Sequence, residues 1–250
     1  MRERRAAAAV ATRVEDGVAW IALARPHVDL PLAQALAEAC AEIALDATIR
    51  VVVVHGAGRD FSRGLPASVS WPPDAWPDSV AAVAALPQPV IAAVDGEASG
   101  LGFALALACD LRVATTRAVF SAPDARRGRL PGGGITQRLP RMVGSGRAMA
   151  VLALGEPLRA RQALAWGLVT EVVPAARLAR AADARARALA ARGPVALRYA
   201  KEAVRRALDL PLEDGARLEH DLYVLLQTTA DRREGVEAFL ARRPPRFHGS

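Results

Sequence analysis

Residues 90–110 read Val90-Ile91-Ala92-Ala93-Val94-Asp95-Gly96-Glu97-Ala98-Ser99-Gly100-Leu101-Gly102-Phe103-Ala104-Leu105-Ala106-Leu107-Ala108-Cys109-Asp110. The first five form a short apolar run, as expected of a strand covered on both faces of a sheet. Residues 100–108 are apolar apart from their glycines and follow a glycine-rich turn, so a helix is predicted to begin there. A buried strand that turns through glycines into a buried helix fits an α/β fold with parallel pairing.

The flanking sequence extends that pattern. Upstream, residues 18–23 and the β-branched run at 51–54 read as strands, and 32–45 and 79–86 as helices. Pro72, Pro73 and Pro77 break the stretch between. Downstream, 111–114 and 118–120 read as short strands. From Thr136 the signals turn helical, over 136–154, 160–166, 175–191, 195–208, 212–227 and 231–241. Pro174, Pro194 and Pro211 lie at or near helix starts, where a missing N–H costs little. The expected organisation is a β–α core over residues 1–190 and a helical region over 191–250.

At 250 residues the chain is long enough for one large domain, or one with an appendage. It is 52% hydrophobic and 24% charged, which fits a globular chain rather than a disordered one. Lysine and arginine total 33 against 26 acids, a net +7, yet Lys201 is the only lysine. Arginine, alanine, glycine and proline abound along the whole length. The charge therefore reflects compositional bias more than a polyanionic partner. Arg177, Arg180 and Arg187 share one helical face, but Arg185 and Arg192 fall beside it and no aromatic residue interleaves them. Nucleic acid is not an expected partner. Cys40 and Cys109 have no C-x-x-C partner and read as reduced core thiols of a cytoplasmic protein. The first eleven residues mimic a signal peptide, but their apolar part, 6–11, is too short for one. No uncharged apolar stretch approaches the length of a membrane span.

Two loops follow predicted strands: Phe61-Ser62-Arg63-Gly64-Leu65, and Gly96 through Gly102. Each can present backbone N–H groups at a strand end, and glycine lets a ligand atom come close. The helix opening near Gly100 adds its positive end. Two convergent N–H groups form an oxyanion hole that suits a thioester enolate; the same glycines also suit plain turns. Other readings fail on spacing. A dinucleotide fingerprint needs glycine where Leu105 stands, and no phosphate-loop G-x-x-x-x-G-K-[ST] occurs. Gly144-Ser145-Gly146 is not G-x-S-x-G. His27, His55, His220 and His248 are scattered without metal spacing, so no metal is expected.

Five ordered blocks carry a resemblance that runs from about Val18 to Phe247. Residues 61–65 resemble an F-[SC]-x-G-x segment. Residues 95–102, leading to Ala108-Cys109-Asp110, resemble N-G-x-A-x-G-x-G…CD. Pro123-Asp124, Gly128 to Gly134 and Gln137-Arg138-Leu139 are similar to P-E…G-x-x-P-G-G-G…Q-R-L. Ala165-Trp166-Gly167-Leu168-Val169 and the tail from Asp231 to Phe247 complete the set. These are segments of the crotonase superfamily, the enoyl-CoA hydratases and isomerases.

The resemblance implies a β-β-α spiral core with a C-terminal helical trimerisation region. It implies an acyl-CoA thioester substrate, with coenzyme A part of the substrate and no separate cofactor. It also implies a homo-oligomer, a trimer or a dimer of trimers. The oxyanion N–H groups fall at Leu65 and Leu101. Gly64 falls in the CoA-binding loop. Phe239 and Arg242 match tail residues that meet the CoA adenosine and phosphate of a neighbouring subunit. The family's first catalytic glutamate falls at Ala104 and its second at Asp124. An acid used by some relatives falls at Gly132.

The chain departs from the family at several of these positions. Ala104 cannot activate water or move a proton, and Asp124 is one methylene shorter than glutamate. His27-Val28-Asp29-Leu30-Pro31 replaces the usual basic segment after Arg25-Pro26, which weakens one CoA contact. Arg127 and Arg129 stand where aliphatic residues are more usual, as carboxylate binders, partners of Asp124 or solvated cations. Hydration uses two carboxylates, and each well-placed acid or base is worth about 10²–10⁴ in rate. A 1,3-proton shift needs only one. Enoyl-CoA isomerase is therefore expected ahead of hydratase, with an acyl-CoA decarboxylase or a non-catalytic acyl-CoA binder as alternatives. Glu97, Asp74 and Asp78 are candidate substitute acids, and Trp71 and Trp76 candidate pocket residues.

Overall fold

The computed structural model describes residues 2–4, 9–66, 68–69 and 76–250. Its first strands are β1 (Arg2–Arg4), β2 (Val10–Glu15) and β3 (Val18–Leu23). Asp16 and Gly17 join β2 to β3 with left-handed φ angles of +49° and +76°. That is the tight hairpin turn whose twist matches its strands, and Asp-Gly is its usual sequence. The segment that reads as a signal-peptide mimic thus includes a strand, paired from Val10 opposite Leu23 to Glu15 opposite Val18.

The chain continues through α1 (Leu30–Leu45), β4 (Val51–Gly56), α2 (Ser79–Ala85), β5 (Val90–Val94), β6 (Glu97–Ser99), α3 (Leu101–Ala108), β7 (Leu111–Thr115) and β8 (Val119–Ser121). Next come α4 (Ile135–Val143), α5 (Ser145–Leu152), β9 (Leu158–Arg159), α6 (Ala160–Ala165), β10 (Glu171–Val173) and α7 (Leu178–Ala190). Three helices close it: α8 (Pro194–Arg206), α9 (Leu212–Gln227) and α10 (Ala230–Leu240). Among the described residues one sheet runs β1-β2-β3-β4-β5-β7-β10, antiparallel up to β3 and parallel from there on. A smaller sheet, β6-β8-β9, stands beside it.

Both faces of the parallel strands are covered, which is why they read as continuous apolar runs. Helices α1 and α3 belong to the main core, with Leu32, Leu36, Phe103 and Leu105 fully buried. Helix α7 covers the other face. Its Ala182, Ala186 and Ala190 form a small-residue stripe against Val51, Val53, Ile91 and Val113. Asp29 starts α1 by accepting from the Leu32 N–H at 3.0 Å. Two readings of the second half need correction. The helix expected over 136–154 is two, because Gly144 breaks it with φ +86°. The region after Thr136 also holds strands, and β10 extends the main sheet by pairing with β7.

Helix α8 is tied to the core by the chain's single lysine. Lys201 is 8% exposed, with its Nζ 2.7 Å from Asp110 and donating to the Gln88 carbonyl at 2.6 Å. The tail folds back over α10. Glu234 takes a two-pronged bond from Arg243, whose guanidinium holds its carboxyl down at about 2. Burial pushes the Cys40 and Cys109 thiols up to about 12, so both are inert. No helix among the described residues is long and apolar enough to cross a membrane.

Candidate active site

The two glycine loops lie edge to edge. The Ser62 N–H donates to the Glu97 carbonyl at 3.0 Å, and the Ser99 N–H to the Ser62 carbonyl at 2.9 Å. A Cβ on Gly64, where φ is +74°, would lie 2.5 Å from the Ser99 oxygen and 3.1 Å from the Leu101 nitrogen. A Cβ on Gly102 would lie 2.2 Å from the Ser62 oxygen. Only glycine permits this approach. An ionic frame holds the loops from outside. The Asp60 carboxylate accepts from the Glu97 N–H, and Asp95 takes Thr115 and Arg117. The Arg117 hydrogen bond, joined by that of Thr115, keeps the Asp95 carboxyl below its ordinary range against the opposing effect of burial.

Leu65 and Leu101 line one small cavity of about 40 Å³, which Asp124 and Gly132 also line. Among the described residues, neither of their N–H groups donates to a backbone carbonyl. Leu101 is the first residue of α3, so its N–H is one of those a helix leaves unpaired, at the positive end of the helix.

Asp124 opens a single 3-10 turn, Ala125–Arg127, closed by Gly128 at φ +67°. Its carbonyl accepts from the Arg127 and Arg129 N–H groups at 2.9 and 3.0 Å. Its carboxylate is 19% exposed and 3.6 Å from the Arg129 guanidinium. Arg129 is thus a partly buried partner of Asp124 rather than a solvated product of arginine bias, while Arg127 is exposed. Ala104 is fully buried one turn along α3, and a Cβ on Gly133 would lie 2.7 Å from its methyl. The alanine therefore faces the same glycine loop that brings Gly132 to the cavity.

Two of the three candidate substitute acids, Glu97 and Asp78, are engaged elsewhere. Glu97 faces Arg63 at 3.7 Å and does not line the cavity. Asp78 caps α2 through the Ala81 N–H. Asp74 and Trp71 lie outside the described residues, and Trp76 packs against the main core. Among the described residues, Asp124 is the only carboxylate lining this cavity. Phe239, 83% exposed on α10, and Arg242, just beyond it, do not line the cavity. Among the described residues no cluster of histidine, cysteine and acidic side chains is placed to hold a metal. The Arg129–Asp124 pair is the one site contact that sequence left undecided. Its signal was the spacing of the two residues across the glycine-closed turn.

The α/β fold and its paired glycine loops define a class of protein, and the comparisons say which. The enoyl-CoA hydratase/isomerase family matches residues 13–250. (E)-Benzylidenesuccinyl-CoA hydratase of Thauera aromatica is 37% identical over 96% of this chain and 99% of its own. 1,2-Epoxyphenylacetyl-CoA isomerase of Escherichia coli is 37% identical over 96% of this chain and 98% of its own. The enoyl-CoA hydratase structure from Bacillus anthracis aligns with a TM-score of 0.91 at 33% identity, covering 97% of this chain and 100% of that one. The chain belongs to the enoyl-CoA hydratase/isomerase family of the crotonase superfamily.

Proposed function

We propose that this family member is an enoyl-CoA isomerase that works with one carboxylate, Asp124. The observation that carries the reading is the pairing of Asp124 with an alanine, Ala104, at the position of the family's first glutamate. A 3-enoyl thioester lies with its carbonyl oxygen between the Leu65 and Leu101 N–H groups. The Asp124 carboxylate removes a proton from C2, and the electron pair of that bond spreads into a dienolate. The negative charge reaches the thioester oxygen, where two preorganised donors hold it; one such donor is worth about 10²–10³ in rate. The same carboxyl then returns the proton to C4, giving the 2-enoyl thioester with no atom gained or lost. Hydration would need a second group to position and deprotonate water, and Ala104 supplies none. The two 37% relatives carry one hydratase and one isomerase name, so overall similarity favours neither reaction.

Gly64 shapes the loop that receives the CoA thioester. Phe239 and Arg242 serve the CoA of a neighbouring subunit through the helical region over 191–250. The test of the carboxylate's role is Asp124→Ala. Turnover of a 3-enoyl-CoA is expected to fall by about 10²–10⁴ while the Kd for a saturated acyl-CoA stays within about threefold. Unchanged turnover would remove Asp124 from the mechanism.

A further inference from the structure

Three arginines line the cavity, Arg63, Arg127 and Arg129, against one acidic residue among the described ones, Asp124. Two of the three are engaged. Arg63 lies 2.7 Å from Asp60 and 3.7 Å from Glu97. Arg129 lies 3.6 Å from Asp124. Among the described residues, no hydrogen bond or ion pair occupies the Arg127 guanidinium. Its backbone is nonetheless fixed, by its N–H bond to the Asp124 carbonyl at 2.9 Å and the left-handed Gly128 that ends the turn. Among the described residues the cavity rim therefore carries one positive charge without a partner, held on the same turn as the proposed base.

We infer that Arg127 receives a second anionic group on the acyl chain, so that the substrates are CoA thioesters of dicarboxylic acids. The inference rests on reading this cavity as the acyl-thioester site. A guanidinium fork matches a carboxylate in two-pronged geometry. A purely aliphatic acyl end at the same place would take water from the cation and offer nothing in return. Arg129 offsets the charge of Asp124, so an incoming carboxylate meets a net positive rim.

The test is equilibrium binding of adipyl-CoA and hexanoyl-CoA to the full chain. These saturated thioesters have equal chain length and differ only in the terminal group. The wild type is expected to favour adipyl-CoA by about tenfold, the order of a charged hydrogen bond exposed to some water. Arg127→Gln should abolish that preference and Arg127→Glu should reverse it. Arg127 is exposed, so both variants are expected to fold, which circular dichroism checks. A wild type without preference, or a preference that survives Arg127→Gln, overturns the inference. Equal weakening of both thioesters by Arg127→Gln also overturns it, because the cation would then meet the CoA phosphates. Since binding is read rather than turnover, silence on every enoyl-CoA counts against the isomerase reading alone.

Discussion

Asp124 and Ala104 sit on opposite sides of the choice between isomerisation and hydration. Both identities were legible in the sequence, and their registration with the family's two glutamates is what the resemblance implies. The Arg129 contact was legible only as one of three readings, because it depends on how Gly128 turns the chain after Arg127. On the proposed mechanism, Ala104 is the position at which a second carboxylate would act. Ala104→Glu adds a carboxylate facing the glycine loop, and hydration of crotonyl-CoA is expected to rise by about 10². The measurement is the hydration rate of the folded variant beside the wild type. A folded variant with no gain would mean that Ala104 is not what limits hydration.

At the scale of elements, the loops are built by backbone contact, and glycine sets how close they come. Gly64→Ala places a Cβ against the Ser99 oxygen at a left-handed φ. It is expected to lose roughly 1–3 kcal/mol of stability and to weaken acyl-CoA binding. Gly58→Ala, with open space around its Cβ and ordinary backbone, is the control and should change neither. Thermal denaturation and a CoA-thioester titration of both variants check this; a neutral Gly64→Ala would mean the loops need not touch. Most elements were legible because apolar period and burial agree, as in β4, β5 and α1. Three were not. Strand β2 hid in an alanine-rich start, although Asp16-Gly17 carried the hairpin signal. Strand β10 has three half-buried residues and is specified by its pairing with β7 rather than by its own sequence. Gly144 splits a helical pattern whose periodicity runs on either side of it.

In the whole molecule, the helical region leaves several large apolar side chains exposed. Leu212, Tyr223, Phe239 and Leu240 are between 59% and 89% exposed. Contiguous patches of such side chains mark interaction surfaces in soluble proteins. We propose that a neighbouring subunit covers them, giving a trimer or a dimer of trimers. Light scattering on the purified protein should return the mass of such an assembly, and a monomer at micromolar concentration would contradict it. The pairing of Lys201 with Asp110 is one of the contacts that tie this region to the core, and breaking a largely buried pair costs about 3 kcal/mol.

Product mass in heavy-oxygen water shows whether one carboxylate does the acid–base work. A 3-enoyl-CoA and crotonyl-CoA are each incubated with the wild type, and the products are followed by ultraviolet absorbance and mass. A 2-enoyl product from the first substrate with no added water, and little or no hydration of the second, is the predicted result. Efficient incorporation of heavy oxygen into both would contradict it and require a second acid that the described residues do not place at the cavity.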